Sequence, residues 1–387
     1  MTLSSPLKMA LLSDADTFAG TERHILHLAD GLRSLGAEPI IVCPKPGLLA
    51  EKAEAALLRV IPLQKKGELD FVAVRTLKKM WETEQLDLLH VHNGRTALLS
   101  AMGLPASKRG RLVMTQHFIT PAHVSRTGLK AFISQNTHHW MHRRISHTIA
   151  ISEAVRNAIL ERGEAHPTQI TMVPNGVPEP DAKSLTSPAE VRRTLGLSPD
   201  SPLVVCIARL AIEKDVASLI SAMAKVREQF PDVVALVAGE GDQKEALEAQ
   251  IASLNLQGTV RLLGFRTDVM SLVNAADLFT LPSPAEPFGL AVIEAMALSK
   301  PVVATRAGGP LEIVQEGETG LLVSPHSPDE LAQALISLLR DPARMREMAE
   351  KGYCRYRLLY TVEVMTKKTL VAYQSLLCLE KDGKLSR

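Results

Sequence analysis

Residues 278–310 read LFTLPSPAEPFGLAVIEAMALSKPVVATRAGGP, and this stretch decides the fold. The apolar runs Leu278–Leu281 and Pro301–Ala304 are short and do not alternate strictly with polar residues, as is typical of strands covered by helices on both faces. Between them, Ala291–Leu298 consists mostly of good helix formers, and Pro287 stands at a natural first helical position. The stretch therefore predicts a strand, a helix and a second, parallel strand.

The same alternation continues through most of the chain. Amphipathic segments such as Thr21–Leu35, Val216–Phe230 and Pro328–Leu339 predict helices, the last with Ser327 as its N-cap. The further predicted strands are Met9–Ser13, Pro39–Cys43, Leu86–Val91, Leu112–Gln116, His147–Ile151, Leu203–Ala208, Val233–Ala238 and Val260–Leu263. The repeated order of strand and helix predicts an α/β fold with doubly wound parallel sheets.

The alternation stops once, between residues 177 and 202. This segment, VPEPDAKSLTSPAEVRRTLGLSPDSP, contains five prolines and one short helical pattern, which is typical of a connection between domains. We therefore expect an N-terminal Rossmann-like domain at 1–178, a linker at 179–200 and a second Rossmann-like domain at 201–357. Because ligands bind beyond the carboxyl ends of parallel strands, we expect the two sheets to face a central cleft that holds the ligand.

Composition argues against several other classes of protein. The 387 residues carry a net charge of only +2, whereas domains dedicated to nucleic-acid binding are usually strongly basic. No apolar run approaches the roughly 18–20 residues that cross a bilayer. The run Met9–Leu12 lies too close to Asp14 and Asp16 to be the apolar part of a secretion signal. The four cysteines form no CxxC pair, so we expect a cytoplasmic protein without a structural zinc site.

The residues after Leu281 also predict a binding site. Glu286 precedes the predicted helix and Glu294 lies two turns inside it. The free N–H groups at the amino end, those of Phe288, Gly289 and Leu290, suit an anion. A ligand with hydroxyl-bearing groups on both sides of a diphosphate matches this arrangement, and a nucleotide sugar has that shape.

A resemblance to a known family extends this prediction. The motif E-P-F-G-L-x-x-x-E-A-M-A-x-x-x-P-V-V-A-T, followed by G-G-P-x-E-I-V, resembles the retaining glycosyltransferases of the bacterial "group 1" type, glycosyltransferase family 4, which have the GT-B fold. Further segments resemble landmarks of the same family in the expected order: Ala19–His24, Leu86–His92, Thr115–His117, Val173–Val177, Ala208–Lys214, Ala238–Gly241 and Leu263–Phe265.

The resemblance implies catalytic roles for four residues. Glu286 would contact the hydroxyl groups of the donor sugar, and His117 would lie at the reacting carbon. Arg209 and Lys214 would bind the diphosphate and stabilise the negative charge of the departing nucleotide.

The resemblance also implies the rest of the donor site. Glu294 would bind the ribose, and the amides of Phe288, Gly289 and Leu290 would lie beside the sugar. The remaining donor-binding residues lie in turns, with Gly20 near the phosphates and Gly239, Gly264 and Arg266 around the base. The second domain would thus bind the nucleotide sugar, and a C-terminal helix within 358–387 would pack back on the first domain.

Three residues depart from the family pattern. Ala19, Ala208 and Asp215 stand where the family has glycine. Alanine is tolerated where φ is negative but strained where φ is positive. Asp215 could also draw the side chain of Lys214 away from a phosphate.

The expected activity is the transfer of a sugar from a nucleoside diphosphate sugar to an acceptor hydroxyl with retention, in cell-surface glycan or glycolipid synthesis. We expect no metal and no cofactor besides the donor. The pair Asp14 and Asp16 spells D-x-D, a metal motif elsewhere, but here it opens a strand–helix loop, where aspartate commonly serves turns. Two alternatives remain open: a sugar-nucleotide epimerase or hydrolase of the same architecture, and a catalytically silent nucleotide-sugar binding protein.

One segment has an unusual composition. Residues 88–152 contain no Asp or Glu, eight Lys and Arg, and eight of the twelve histidines. Within it, Gly128–Ile145 predicts a basic amphipathic helix with Phe132 and Trp140. The segment could form a cleft wall for phosphates, or a surface that meets anionic membrane or an acidic lipid-linked acceptor. Peripheral association with the inner face of the cell membrane would follow from the second interpretation.

Overall fold

The computed structural model describes residues 6–63, 70–105, 110–119 and 136–381. The chain divides into two compact units, Met1–Gly176 together with Val362–Arg387, and Val177–Thr361. The division at Gly176 falls near the expected domain end at 178, and the division at Thr361 falls near the expected end at 357.

The first unit is built on a seven-stranded parallel sheet with the strand order β3-β2-β1-β4-β5-β6-β7. Its strands are β1 Lys8–Leu12, β2 Glu38–Cys43, β3 Arg59–Pro62, β4 Leu88–Val91, β5 Leu112–Gln116, β6 His147–Ala150 and β7 Ile170–Met172. Its helices are Gly20–Ser34, Leu48–Ala55, Phe71–Glu84, Gly94–Gly103, Glu153–Glu161 and Val362–Lys381, with a 3₁₀ turn at Pro167–Gln169 and a helical segment at 136–142.

The C-terminal helix Val362–Lys381 belongs to the core of the first unit. It packs on the helix Gly20–Ser34, where a Cβ on Gly31 would lie only 2.2 Å from Oγ1 of Thr366. The buried hydroxyl of Tyr373 lies 2.5 Å from Nδ1 of His90 on β4. A polar bond inside an apolar core fixes the position of the helix along the sheet, because breaking it would leave a buried group unpaired.

The second unit is built on a six-stranded parallel sheet with the order β10-β9-β8-β11-β12-β13. Its strands are β8 Leu203–Ile207, β9 Val234–Ala238, β10 Val260–Leu262, β11 Leu278–Leu281, β12 Val302–Thr305 and β13 Gly320–Val323. Its helices are Pro188–Thr194, Val216–Gln229, Lys244–Ser253, Val269–Ala275, Leu290–Ala297, Pro310–Ile313, Pro328–Leu339 and Pro342–Leu359, with a 3₁₀ turn at Ile212–Lys214.

The expected linker, 179–200, lies within the second unit. Its helix Pro188–Thr194 carries Arg192, which is buried although charged. The guanidinium donates to the carboxylate of Asp277 at 2.9 Å and to the backbone oxygen of Ser201 at 2.7 Å. A charged side chain can be buried when it is paired and hydrogen-bonded. These bonds attach the proline-rich segment, which the sequence predicted to be a linker, to the rest of the second unit.

Three strands escaped the sequence analysis, and all three are edge strands of their sheets: β3, β7 and β13. Residues of β3 and β7 are partly exposed, so they lack the continuous apolar run of a central strand. Within the described residues, no helix is long and apolar enough to cross a membrane.

Candidate active site

The site in the second unit lies where the strand order of the sheet reverses. From β8 the chain proceeds to β9 and β10 on one side, and from β11 to β12 and β13 on the other. Ligands of doubly wound sheets bind beyond the carboxyl ends of the strands at such a switch point. The loop after β8 carries Arg209 and Lys214, and the loop after β11 carries Glu286, so the fold brings these two segments together.

Lys214 and Glu286 form the central contact of the site. The ammonium Nζ of Lys214 lies 2.5 Å from Oε2 of Glu286, although 72 residues separate them. Both side chains are largely buried, with 17% and 15% of their surfaces exposed. A charged pair so shielded from water is stronger than a surface pair, because water screens it less.

Two glycines hold the backbone of Glu286 in place. The amide of Gly309 donates to the carbonyl of Glu286 at 2.8 Å. Gly308 has φ of +59°, and a Cβ there would lie 2.1 Å from the same carbonyl oxygen. The close approach admits no side chain at Gly308, which explains the G-G pair after β12.

The helix after Glu286 begins at Leu290, with Gly289 as N-cap at φ of +107°, so the predicted start at Pro287 is wrong. Gly289 adopts this left-handed conformation without strain because it has no side chain. An ideal Cβ on Gly289 would lie 3.6 Å from Cγ of Glu286, so the stem of Glu286 lies against the helix's amino end. The ammonium of Lys214 therefore lies beside that end too.

Glu294 is buried on the same helix, with 7% of its surface exposed. Because the helix begins at Leu290, Glu294 lies about 6 Å along the axis from the first helical residue, roughly one turn rather than two.

The two arginines assigned to the donor site are both paired within their own loops. Arg209 donates to Glu213 at 2.6 Å, and both side chains are mostly exposed. Arg266 forms two bonds to Asp268, at 2.8 and 2.6 Å, and this pairing raises the pKa of Arg266 and lowers the pKa of Asp268. The two glycines that were predicted to lie around the base, Gly239 and Gly264, form an isolated antiparallel bridge to each other.

The three departures from the family pattern fit the backbone. Ala19 has φ of −128°, and Ala208 is not among the described non-glycine residues with positive φ. Asp215 does have positive φ, +48°, but its carboxylate caps the helix Val216–Gln229 by accepting from the amide of Ser218. The same carboxylate lies 2.8 Å from Nδ1 of His326. Aspartate tolerates the left-handed region better than most residues, and its partners here are not Lys214.

In the first unit, His117 directly follows β5 and lies in a cluster of buried histidines. Its Nε2 is 3.2 Å from Nδ1 of His92, and its ring centroid is 4.9 Å from that of His24. Burial, and next the nearby His90, lower the pKa of His117 to about 3. The imidazole is therefore neutral near pH 7.

Sequence reasoning assigned no site role to His24 and favoured a structural role for His92. His24 lies on the buried face of the helix Gly20–Ser34, and the available signal was a histidine at helical spacing from the apolar residues Leu28 and Leu32. Gly20 is the first residue of that helix, behind the N-cap Ala19.

Two other features of the sequence remain: the D-x-D sequence, whose first aspartate has a structural partner, and the basic segment 128–145, part of which lies outside the described residues. Asp14 pairs with Arg95 at 2.6 Å, which accounts for the first carboxylate of the D-x-D sequence. Of the basic segment 128–145, residues 128–135 lie outside the described residues. In the remainder, the guanidinium of Arg144 lies 3.7 Å from the ring centroid of Trp140.

Comparison of the chain with family models and known proteins identifies its family. The model of Glycosyltransferase Family 4 matches residues 18–179, and that of Glycosyl transferases group 1 matches residues 188–355. The chain is 27% identical to the sulfoquinovosyl transferase SQD2 of Arabidopsis thaliana over 354 residues, 88% of this chain and 68% of that protein. It is 29% identical to a phosphatidyl-myo-inositol mannosyltransferase of Mycolicibacterium smegmatis over 336 residues, 84% of this chain and 82% of the relative.

A solved structure is also similar over nearly the whole chain. The crystal structure of HepE from Anabaena in complex with UDP-glucose matches with a TM-score of 0.81 and 26% sequence identity, covering 95% of this chain and 100% of that one. The chain therefore belongs to glycosyltransferase family 4, the group 1 glycosyl transferases, and has the GT-B fold.

Proposed function

We propose that the protein transfers a sugar from a nucleoside diphosphate sugar to an acceptor hydroxyl with retention of anomeric configuration. The observation that carries the proposal is the contact between Lys214 and Glu286 at the amino end of the helix Leu290–Ala297. A cation and a helix amino end attract a phosphate, and a carboxylate accepts hydrogen bonds from sugar hydroxyls. The diphosphate and the sugar of one donor require these groups side by side.

Donor binding follows from the chemistry of each side chain. The diphosphate lies at the amides of Phe288, Gly289 and Leu290, with Lys214 and Arg209 on it. Arg209 is free to change partners, because an exposed ion pair such as Arg209–Glu213 is worth only about 0.2–1 kcal/mol. Glu294 binds the ribose hydroxyls, and the turns at Gly239, Gly264 and Arg266 surround the base.

The chemical step is departure of the nucleotide with attack by the acceptor hydroxyl on the same face of the sugar. The leaving phosphate oxygen accepts the proton of the attacking hydroxyl. Lys214 and Arg209 stabilise the charge that develops on the phosphate, which is the electrostatic work that a metal does in other transferases, so no metal is required there. His117 contacts the sugar at the reacting carbon as a neutral imidazole.

Names of similar proteins suggest the donor base and the kind of acceptor. The HepE crystals contain UDP-glucose, so a UDP-sugar is the first donor to test. One relative is named as a phosphatidyl-myo-inositol mannosyltransferase. We propose a lipid-linked or cell-surface glycan acceptor, reached by peripheral contact with anionic membrane.

The first experiment is thermal stabilisation of the full chain by a panel of UDP-, GDP- and ADP-sugars. A ligand at one hundred times its Kd adds about 2.7 kcal/mol of stability. Lys214→Met should lose most of that gain. Lys225→Met is the matched control, because Lys225 is paired on the exposed surface of the same unit with Asp329. Equal stabilisation of both variants would contradict the proposed site.

Product analysis then separates the alternatives. Nuclear magnetic resonance of the product should show the same anomeric configuration as the donor. Conversion of the donor alone into another sugar or into free sugar would favour an epimerase or hydrolase. Donor binding without turnover across an acceptor panel would favour a silent binding protein.

A further inference from the structure

Three histidines meet at the carboxyl end of the sheet in the first unit. His92 directly follows β4 and His117 directly follows the adjacent β5. His24 faces them from the helix Gly20–Ser34, which follows β1. Between β1 and β4 the strand order of this sheet reverses, so the cluster lies near a second topological switch point, where ligands bind.

The spacing of the ring nitrogens fits a metal ion. One nitrogen from each of His24, His92 and His117 lies within 4.8 Å of the other two. Nδ1 of His92 and Nε2 of His117 are 3.2 Å apart. Two nitrogens bound tetrahedrally at about 2.0–2.1 Å from Zn²⁺ lie about 3.3 Å apart, so this pair needs almost no movement.

The cluster also contains buried nitrogens that lack hydrogen bonds. Both ring nitrogens of His24 and Nε2 of His92 have no hydrogen-bond partner among the described residues, although the two side chains are only 3% and 1% exposed. Leaving a buried polar group unsatisfied costs about 1–3 kcal/mol. A bound ion would satisfy one nitrogen of His24, and it would replace the hydrogen bond that Nδ1 of His92 and Nε2 of His117 share.

A neighbouring amide could orient one ligand. The side-chain oxygen of Asn175 is buried and likewise lacks a partner in the described part of the chain. Burial lowers the pKa of His24, and an interaction with the side chain of Asn175 acts in the opposite direction, so Asn175 is a neighbour of the ring. Ligating histidines usually donate their second N–H to such an oxygen.

We propose that His24, His92 and His117 bind one divalent transition-metal ion of the Zn²⁺ class, with the fourth position open to water. Three imidazoles without a carboxylate suit zinc, copper, nickel or cobalt and not magnesium or calcium.

The site has a functional consequence that rests on the proposed role of His117. A nitrogen of His117 that binds the ion cannot contact the donor sugar. Metal binding and sugar transfer therefore exclude each other, and the ion inhibits the enzyme. All three proposed ligands belong to the first unit, whereas the proposed diphosphate ligands belong to the second unit and bind no metal in our proposal.

The test measures binding of Zn²⁺ alone, without an activity assay. The full chain carries Cys354→Ser and Cys378→Ser, because these exposed thiols could bind zinc adventitiously. Chelator-stripped protein should take up one Zn²⁺ in competition with a chromophoric chelator. Co²⁺ in its place should give the intense visible bands of four-coordinate nitrogen ligation. Two results with the three histidines intact would overturn the proposal: weak bands typical of six-coordinate Co²⁺, or no uptake of metal. Either result would indicate that an ordered water occupies the cluster instead.

Substitutions then identify the ligands. His24→Gln and His117→Gln should each weaken Zn²⁺ binding at least tenfold. His90→Gln is the matched buried control: its ring centroid is 4.2 Å from that of His92, but its nitrogens are bonded to Tyr373 and Thr115. Unchanged affinity in both ligand variants would overturn the site.

A transfer assay with and without Zn²⁺ is a separate readout. Inhibition that chelator reverses supports exclusion at His117. Zinc bound by the cluster without inhibition would instead contradict the role of His117 in transfer and leave the metal site standing.

Discussion

The contact between Lys214 and Glu286 can be tested by a double-mutant cycle. The variants are Lys214→Met, Glu286→Gln and both together. The side chains are 17% and 15% exposed, which places the pair between surface pairs and fully buried ones. Surface pairs are worth about 0.2–1 kcal/mol, and removing one partner of a buried pair costs about 3–5 kcal/mol. We expect each single variant to lose about 1–2 kcal/mol of stability, with a coupling energy of about 1 kcal/mol.

The same variants should also lose catalytic activity. Each single variant should lose at least about tenfold in kcat/KM, equivalent to 1.4 kcal/mol of transition-state stabilisation. Nucleotide release from the best donor of the panel measures the rate, and urea denaturation measures stability. Lys225→Met controls for loss of a lysine from the second unit, because its partner Asp329 is mostly exposed and little change is expected.

Two results would refute this reasoning. Stability losses that add within about 0.3–0.5 kcal/mol in the double variant would show that the two side chains act independently. Loss of stability in Lys214→Met with an unchanged rate would show that the lysine supports the fold and does not act on the donor.

Three further predictions concern stability. Gly308→Ala should cost about 1–3 kcal/mol more than Gly317→Ala, since both glycines have positive φ but only a Cβ on Gly308 would meet a backbone oxygen, at 2.1 Å; equal melting temperatures would contradict the close approach. Asp215→Ala should cost about 1–2 kcal/mol through loss of the cap at positive φ, and Asp215→Gly only a few tenths, because glycine relieves the backbone strain; calorimetry of both variants decides. With chelator present, the free energy of unfolding should fall by about 1.4 kcal/mol per neutral buried imidazole between pH 7.5 and 5.5. Burial lowers the folded-state pKa values of His24 and His117. As the pH falls through the pKa of histidine in the unfolded chain, the unfolded chain therefore gains protons before the folded one, and stability is lost. Urea midpoints that do not fall with pH would contradict this.

The sequence determined the architecture and predicted the residues that we propose for the donor site. Strands such as Leu112–Gln116 and Leu278–Leu281 have the predicted bounds, because a strand covered on both faces must be apolar throughout and this shows in one dimension. The edge strand Gly320–Val323 was not recognised, and the short helical pattern that forms Pro188–Thr194 was assigned to a linker instead of the packed second unit. The strand Gly320–Val323 has only four residues and begins with glycine, which is depleted in strands. Arg192 is buried because the carboxylate of Asp277, 85 residues away, and the backbone oxygen of Ser201 accept hydrogen bonds from it.

Tertiary structure alone decided which residues are partners. The motif predicted that Glu286 and Lys214 both serve the donor, but only the switch point between β8 and β11 brings them to 2.5 Å. Likewise, only the parallel pairing of β4 and β5 and the packing of the first helix bring together His92, His117 and His24. Periodicity records which face of an element is buried, because burial acts on each residue singly. A contact between distant segments depends on strand order, which no local pattern encodes.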